Sequence, residues 1–348
     1  MAVGGYNRQF VMDKDNTIKT MRSTDDGVTW TGYQSTNETS TWSSVAFGNN
    51  VFVAVASSGS KRAMRSTDDG VTWTGVATSD DASRGTNYAY PYLGWQSVAY
   101  GNGVFVAVAN GKSKSTMRST DYGLTWTGYA SSDDTVAWSS VTYGADFGFV
   151  AVGLNPDERP AVSNKAMRST DGGLTWTGSA SGDKGMSWSS VAFGHGVFVA
   201  VGGTAYDETI FTTTAKCAIR STDGGITWTE GSSVPIPQSM MQDVWSWSSV
   251  AYGNGLFVAV QQAGRDAPDM FMPDDPASTT ANTTMVSKDF GVTWAQVTSA
   301  KDATNSAWAS ITYGINSFIS VGAASMLTYP ITWEMYESNG TMTHPNVF

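Results

Sequence analysis

The chain has 348 residues, of which 41% are hydrophobic and only 14% are charged, and its 30 acidic residues outnumber its 20 Lys and Arg to give a net charge of −10. This balance argues against a nucleic acid or an anionic membrane as partner, because both require a basic surface. No apolar run approaches the roughly 18 residues of a membrane-spanning helix, and the opening MAVGGYNRQF lacks an apolar core, so we expect no signal peptide. A single cysteine, Cys217, and two histidines exclude a thiolate or multi-histidine metal site, and we expect neither metal nor cofactor.

Two short motifs alternate along the chain. The motif S-x-D-x-G-x-T-W occurs six times, at 23–30, 66–73, 119–126, 169–176, 221–228 and 287–294. The second motif, exemplified by WSSVAFGNNVFVAV, starts at Trp42, Trp95, Trp138, Trp188, Trp247 and Trp308. Repetition at this spacing predicts one repeated architecture rather than several unrelated domains.

Each repeat predicts four short strands rich in Val, Phe, Thr and Trp. Strand A covers WSSVAF, strand B FVAV, strand C AMRS and strand D VTWTG. In chain order, these strands predict a partial first unit over 1–33, five full repeats over 42–294, a degenerate last repeat over 308–337 and a tail over 338–348. In the partial unit, 9–13 is predicted as strand B and 18–23 as strand C, with no strand A before them.

The connections between strands A and B predict tight turns. Asn102-Gly103, His195-Gly196 and Asn254-Gly255 are residue pairs that suit two-residue hairpins with positive φ.

Four antiparallel strands repeated every 43 to 66 residues are typical of a β-propeller. The predicted fold is therefore all-β, a single seven-bladed β-propeller of four-stranded antiparallel blades. The tail would supply the missing inner strand of the first blade and so close the ring. If the tail does not contribute, six blades are the alternative.

The S-x-D-x-G-x-T-W motif resembles the Asp-box, or bacterial neuraminidase repeat. Proteins that share it include sialidases, xyloglucanases, sortilin-type receptors and a photosystem II assembly factor, so the resemblance implies a propeller fold and leaves the chemistry open. The box aspartates are expected to accept backbone N–H groups across their own turns, and the box tryptophans to fill the wedges between blades. These structural carboxylates are Asp25, Asp68, Asp121, Asp171, Asp223 and Asp289.

No catalytic residues are predicted. A sialidase-like site needs three converging arginines, whereas the repeat arginines Arg22, Arg65, Arg118, Arg168 and Arg220 are spread around the ring. A glycosidase needs two carboxylates about 5 to 9.5 Å apart, which sequence alone does not measure; six glutamates are available at 38, 158, 208, 230, 334 and 337.

Length variation is confined to the B–C and D–A connections, which leave the same face of a four-stranded blade. Loops of variable length on a rigid scaffold are where binding usually resides, and these loops are acidic and aromatic. The predicted binding residues are Tyr88, Tyr90, Tyr92, Asp80, Asp81, Arg84, Arg159, Met270, Phe271, Asp274 and Asp275. Tyrosines beside carboxylates suit sugars, whereas aromatic and Met side chains suit a protein interface or packing between the loops themselves; paired aspartates could also hold Ca²⁺, although their spacing matches no loop motif.

These patterns favour a non-enzymatic binding or assembly propeller that presents its loop face to a glycan or protein partner. The near-identical repeats and uncharged polar surface are compatible with a virion component, including one from a phage, located on a particle or extracellular surface and contacting other virion proteins. A glycoside hydrolase or sialidase-like carbohydrate-active protein is the alternative.

Overall fold

The computed structural model describes residues 2–3, 18–25, 29–36, 40–79, 94–111, 114–154, 165–180, 186–204, 217–232, 246–262, 283–298, 306–314, 317–324, 335–336 and 342–343. Within these ranges the chain forms 27 β-strands and no helix. The described residues accordingly contain no helix long and apolar enough to cross a membrane.

The strands follow the repeats in chain order. Unit 1 contributes β1 (Ala2–Val3), β2 (Ile18–Arg22) and β3 (Thr31–Gln34). Units 2 to 6 contribute β4 (Thr41–Gly48), β5 (Val51–Ser58), β6 (Ala63–Ser66), β7 (Thr74–Val76), β8 (Trp95–Gly101), β9 (Val104–Ala109), β10 (Thr116–Ser119), β11 (Thr127–Tyr129), β12 (Ala137–Gly144), β13 (Gly148–Leu154), β14 (Lys165–Ser169), β15 (Thr177–Ala180), β16 (Met186–Gly194), β17 (Val197–Thr204), β18 (Ala218–Ser221), β19 (Thr229–Glu230), β20 (Ser246–Gly253), β21 (Leu256–Gln262), β22 (Thr283–Ser287) and β23 (Ala295–Thr298). Unit 7 contributes β24 (Ser306–Gly314) and β25 (Ser317–Ala324), and β26 (Met335–Tyr336) and β27 (Met342–Thr343) follow.

Units 2 to 6 each form a four-stranded antiparallel blade in the order A, B, C, D. Successive A strands pack against one another from β4 through β8, β12, β16 and β20 to β24. The fold is thus the all-β propeller that the repeats predict. Blades 5 and 6 are additionally joined into one sheet, because β17 pairs with β20 between Gly203 and Ser246.

The core lies between the blades. Strand B is the most completely buried element, and all six residues of β9 are buried, because a strand in the interior of a blade is covered on both faces by neighbouring blades. This explains why the B strands read as continuous apolar runs instead of alternating patterns. Each A strand carries a β-bulge immediately after its tryptophan, as between Trp95 and Ser97 in β8.

The predicted tight turns are confirmed. Asn102 and Gly103 have φ values of 48° and 80°, and the His195-Gly196 and Asn254-Gly255 turns have nearly the same values. Two successive residues with positive φ define the hairpin turn whose twist matches the flanking strands.

The predicted bounds of strand D are wrong. In blade 2 the strand begins at Thr74, after the box, instead of at Val71. Asp68 accepts hydrogen bonds from both the backbone and the hydroxyl of Thr72, and these bonds hold the last box residues in a turn.

The two ends of the chain differ from the full repeats. In unit 1, Ala2 and Val3 pair with Met21 and Thr20 of the predicted strand C, while the predicted strand B at 9–13 lies outside the described residues. In the tail, β27 pairs with β26. Ring closure by the tail and the number of blades therefore stay predictions.

Candidate functional site

Each Asp-box is a turn closed by its own side chains. In blade 2 the Ser66 hydroxyl donates to Asp68 Oδ1 over 2.7 Å and accepts the backbone N–H of Gly70 over 2.8 Å. Thr72 donates its N–H to Asp68 Oδ1 over 2.9 Å and its hydroxyl to Asp68 Oδ2 over 2.5 Å. The same Ser–Asp–Thr bonds recur in all six boxes. Both oxygens of each box carboxylate are therefore engaged within the turn.

These hydrogen bonds keep the box carboxylates ionised. The pKa of Asp68 is lowered to about 2, mainly by the Thr72 hydroxyl and then by the Thr72 backbone N–H; the pKa of Asp25 is also lowered to about 2 by the same contacts from Thr29. In the other four boxes partial burial raises the pKa of the carboxyl, but the Thr and Ser hydrogen bonds outweigh it and the net pKa is lowered. A carboxyl held so firmly as an anion is suited to closing a turn rather than to donating a proton.

The stability of the protein is expected to fall as acid protonates the boxes. The folded pKa of Asp68, about 2, lies below the pKa of about 4 expected in the unfolded chain. The contribution of the Asp68 carboxylate to the free energy of unfolding is therefore fully present above about pH 4 and is lost as the pH falls through about 2. The urea midpoint measured from neutral pH down to about pH 2 should show this loss, and Asp68→Asn should make it less steep.

Thr72→Val is the companion variant, because it removes the hydroxyl that lowers the Asp68 pKa most. It should flatten the same acid dependence while leaving the carboxyl in place. Equal acid slopes in the wild-type protein and both variants would contradict this account of the box.

The boxes also join neighbouring blades through their glycine and through the arginine of the preceding blade, two contacts that the sequence analysis missed. Gly123 of the third box has a φ of +81°, and a Cβ at this position would lie 2.8 Å from Val53 Cγ2 in the preceding blade. Arg65 of that blade donates its Nε–H to the carbonyl oxygen of Tyr122 over 3.0 Å. Arg220 repeats the contact with Phe290 over 2.9 Å, so these two repeat arginines each tie one blade to the next. Their signal in the sequence was an arginine one residue before five of the six boxes.

The A–B hairpins and the boxes lie on one face of the propeller, here called the box face. The His195 ring of the blade 5 hairpin stacks on Phe290 of the blade 6 box at 4.3 Å and 9°. A Cβ at Gly224, in the blade 5 box, would lie 2.7 Å from the ring of Phe147 in the blade 4 hairpin.

The box face also carries exposed aliphatic side chains, a second feature that the sequence analysis missed. They occupy one position, the residue after the box glycine, in five boxes: Val71, Leu124, Leu174, Ile226 and Val292.

The B–C and D–A connections meet on the opposite face, here called the loop face. The Ser40 hydroxyl, just before β4, donates to the carbonyl oxygen of Lys61 in the B–C connection of the same blade over 3.0 Å. Gly94, at the end of the first long insertion, abuts the Ser57 carbonyl of the preceding blade. The antiparallel topology therefore places the starts and ends of all the insertions on this face.

The predicted binding residues themselves lie outside the described residues. Their attachment points are described: the insertion with Tyr88, Tyr90, Tyr92, Asp80, Asp81 and Arg84 runs between β7 and β8, that with Arg159 between β13 and β14, and that with Met270, Phe271, Asp274 and Asp275 between β21 and β22. The insertions thus leave the same face at three different places around the ring. Contact between these side chains, and with it the binding site, stays a prediction.

Metal-binding clusters and accessible thiols are both absent from the part of the chain that the structure describes. The described residues hold no group of three or more His, Cys, Asp or Glu side chains that could bind a metal. Cys217 is buried, and this burial raises the pKa of its thiol to about 11, which makes it a poor nucleophile. Within the described ranges Glu230 is the one glutamate.

Comparisons with known proteins agree with this architecture. The BNR/Asp-box repeat family matches residues 219–230. The chain is similar to a solved structure of YCF48 bound to D1 peptide, with 15% identity and a TM-score of 0.53 over 87% of this chain and 81% of that one. It is also similar to YCF48 from Cyanidioschyzon merolae, with 13% identity and a TM-score of 0.50 over 88% and 87% of the two chains.

A GH74 xyloglucanase from Xanthomonas campestris is a more distant likeness, with 17% identity and a TM-score of 0.47 over 73% of this chain and 38% of that one. No curated protein sequence matches the chain. The chain therefore carries Asp-box repeats on a propeller fold, and likenesses at this level of identity extend to the fold alone.

Proposed function

We propose that the protein is a non-enzymatic binding and assembly propeller whose loop face contacts a protein partner. The observation that carries the proposal is the division of the molecule into two faces. The box face is built from repeated turns that are closed by their own hydrogen bonds, whereas the long B–C and D–A connections leave the opposite face. A rigid scaffold with variable loops on one side is a common arrangement for recognition.

The chemistry of the described residues supports a binding role over catalysis. The box carboxylates are engaged in their turns and held as anions, and the lone thiol is buried with a raised pKa. A general acid needs a pKa close to the working pH, and a nucleophile needs an accessible, activated group.

The composition of the insertions favours a protein partner. Met270 and Phe271 in one insertion and three tyrosines in another are residue types that are enriched at protein interfaces. The net charge of −10 favours a partner with basic groups, because complementary charge speeds association. The YCF48 structure with a bound peptide supports the idea that a propeller of this kind can hold a polypeptide.

We further propose that the partner is another component of a virion or extracellular surface assembly. The support is the near-identical repeats and the surface rich in Ser, Thr, Asn and Gly, with 14% charged residues. A structural particle protein needs a stable scaffold and a specific contact face, and the two faces provide these separately.

A glycan is the second candidate partner. Its support is the sequence from Thr78 to Gly94, where Tyr88, Tyr90 and Tyr92 follow Asp80 and Asp81. Aromatic rings can cover the apolar faces of sugars while carboxylates accept their hydroxyl hydrogens. The hydrolase alternative would require a pair of carboxylates in the same loops.

The test is to incubate the purified protein with a peptide array and a glycan array, and to assay each glycan for released sugar. We expect binding to basic peptides that is lost in the loop-face variant Tyr88→Ala/Tyr90→Ala/Tyr92→Ala. The matched box-face variant Leu124→Ser/Ile226→Ser should retain binding, because these exposed side chains lie on the opposite face.

Each alternative has its own outcome. Glycan binding without release, lost in the tyrosine variant, would establish the lectin function instead. Release of sugar would overturn the non-enzymatic proposal. Binding that is lost in the box-face variant and kept in the tyrosine variant would assign the interaction to the box face and contradict the proposal.

A further inference from the structure

Two kinds of contact join each of the six A strands to the next, and both kinds repeat from blade to blade. In the first, the glycine that ends one A strand lies under an aromatic ring of the next. A Cβ at any of these glycines would crowd or overlap the ring. The five pairs are Gly48 with Tyr100, Gly101 with Tyr143, Gly144 with Phe193, Gly194 with Tyr252 and Gly253 with Tyr313.

The second contact is a hydrogen bond between the same strands. A serine hydroxyl oxygen on one A strand accepts a backbone N–H from the next strand over 3.1 to 3.2 Å in all five pairs. The first of them joins Ser44 to Val98 and the last joins Ser249 to Ile311. Each A strand therefore contributes its serine and glycine to the contact with the next A strand. It contributes its backbone N–H and aromatic ring to the contact with the preceding A strand.

On the first and last A strands, one of these two sets of residues has no A-strand partner among the described residues. Phe47 of β4 occupies the aromatic position, but its side chain is 52% exposed. Gly314 of β24 occupies the glycine position, and a Cβ there would meet nothing within 4 Å. Ser310 and Val45 occupy the corresponding hydrogen-bonding positions. The edge of β24 and the edge of β4 are thus the two halves of the contact that is formed five times elsewhere.

The outer strands show the same complementarity. In blade 2 strand B pairs with strand C over four residues, from Phe52 opposite Ser66 to Val55 opposite Ala63. Unit 7 is described as an A strand and a B strand, β24 and β25. Unit 1 provides a C strand, β2, and a D strand, β3, which pair with each other. On the other side of β2, where a complete blade has its B strand, lie the two residues of β1. Together β24, β25, β2 and β3 contain the four strands of one blade.

We infer that β24 packs directly against β4, so that the ring closes with six inner strands. The last blade is then a composite of β24 and β25 from the end of the chain with β2 and β3 from its beginning. The occupant of the β4 edge is the chain's own β24, because its Gly314 and Ser310 match Phe47 and Val45 as in the other five contacts. Closure removes the exposed strand edge of β4, which is otherwise a site for association with other chains. In the described structure Ala2–Val3 pairs with β2 and contacts β4; in the inferred arrangement β25 takes its place.

Paired cysteines test this contact directly. Val45→Cys/Ser310→Cys places thiols at the inferred contact, and Val98→Cys/Ser44→Cys places them at a contact that the structure describes. Cys217 can stay, since it is buried and the raised pKa of its thiol, about 11, keeps it protonated. After mild oxidation, we expect both variants to form a disulfide within one chain, seen as a mobility shift without reducing agent and as a linked peptide by mass spectrometry.

Two outcomes would overturn the inference. If the control pair links and the two thiols introduced by Val45→Cys/Ser310→Cys stay reduced, another strand lies between β4 and β24. If the test pair gives covalent dimers alone, the two edges meet between copies of the chain.

A second measurement does not depend on cysteine chemistry. Gly314→Ala should lower the melting temperature by about as much as Gly101→Ala, whose Cβ overlaps Tyr143. Combining Gly314→Ala with Phe47→Ala should restore part of the loss, because the smaller side chain makes room for the new methyl group. A melting temperature unchanged by Gly314→Ala would contradict closure by β24.

Discussion

Gly101→Ala is expected to destabilise the folded protein by about 3 kcal/mol, the upper part of the range for overpacked cores. A Cβ at this position would overlap the ring of Tyr143 on the next A strand. Movement of that ring is restricted on one side by Phe149, whose ring centroid lies 4.9 Å from its own. The loss would be measured as a lower urea midpoint at an unchanged slope, which separates a change in stability from a change in the unfolded state.

Gly103→Ala is the matched control for Gly101→Ala. It lies two residues away in the hairpin, has a φ of +80°, and has space for a Cβ with nothing within 4 Å. Its cost should be limited to the left-handed backbone, about 1–2 kcal/mol. A loss in Gly101→Ala no larger than in Gly103→Ala would contradict the close packing of the A strands. Tyr143→Ala in the Gly101→Ala background should recover part of the loss if the clash is its cause.

The repeated elements could be predicted from the sequence because each is specified locally. The tight turn at Asn102 and Gly103 depends on two adjacent residues that tolerate positive φ. The box depends on a serine, an aspartate and a threonine close together in the chain, whose hydrogen bonds close in one turn. The wrong bounds of strand D have the same origin. The letters VTW suggest a strand, but the Asp68 carboxylate binds Thr72 and delays the strand until Thr74.

The contacts between blades were harder to predict, because they join residues about one repeat apart. The glycine at the end of each A strand was visible as a repeated aromatic-glycine pair, but its role depends on the aromatic ring of the next unit, as Gly48 depends on Tyr100. The box glycine similarly has two reasons to be glycine, of which the first is its positive φ. The second reason is the close approach to a valine of the preceding blade, as between Gly123 and Val53.

The candidate binding loops differ from the repeated elements in that their sequences are not repeated. Each insertion occurs once, so no second copy reveals which of its residues are structural and which are free to bind. Tyr88 and Phe271, for example, are assigned to binding by composition and by the face from which their loops leave. The topology supports the choice of face, and the mutations on the two faces test the choice of residues.

The largest loss is expected for Trp126→Ala, which should destabilise the protein by about 3–5 kcal/mol. Trp126 is the tryptophan of the third box, and its side chain is 7% exposed. It packs in one cluster with Val53 of the preceding blade and Trp95 of its own blade, so its removal leaves a cavity at a blade interface. The free energy of unfolding from urea denaturation would measure the loss.

Trp30→Ala provides the comparison, because it makes the same substitution in the first box. Trp30 is 36% exposed, and its box carboxylate accepts the same hydrogen bonds from Thr29 as the other boxes do from their threonines. If the box tryptophan stabilises the protein by filling the wedge between blades, Trp30→Ala should cost much less than Trp126→Ala. Similar losses would instead show that the indole acts mainly within its own box, or that Trp30 is as well covered as Trp126 in solution.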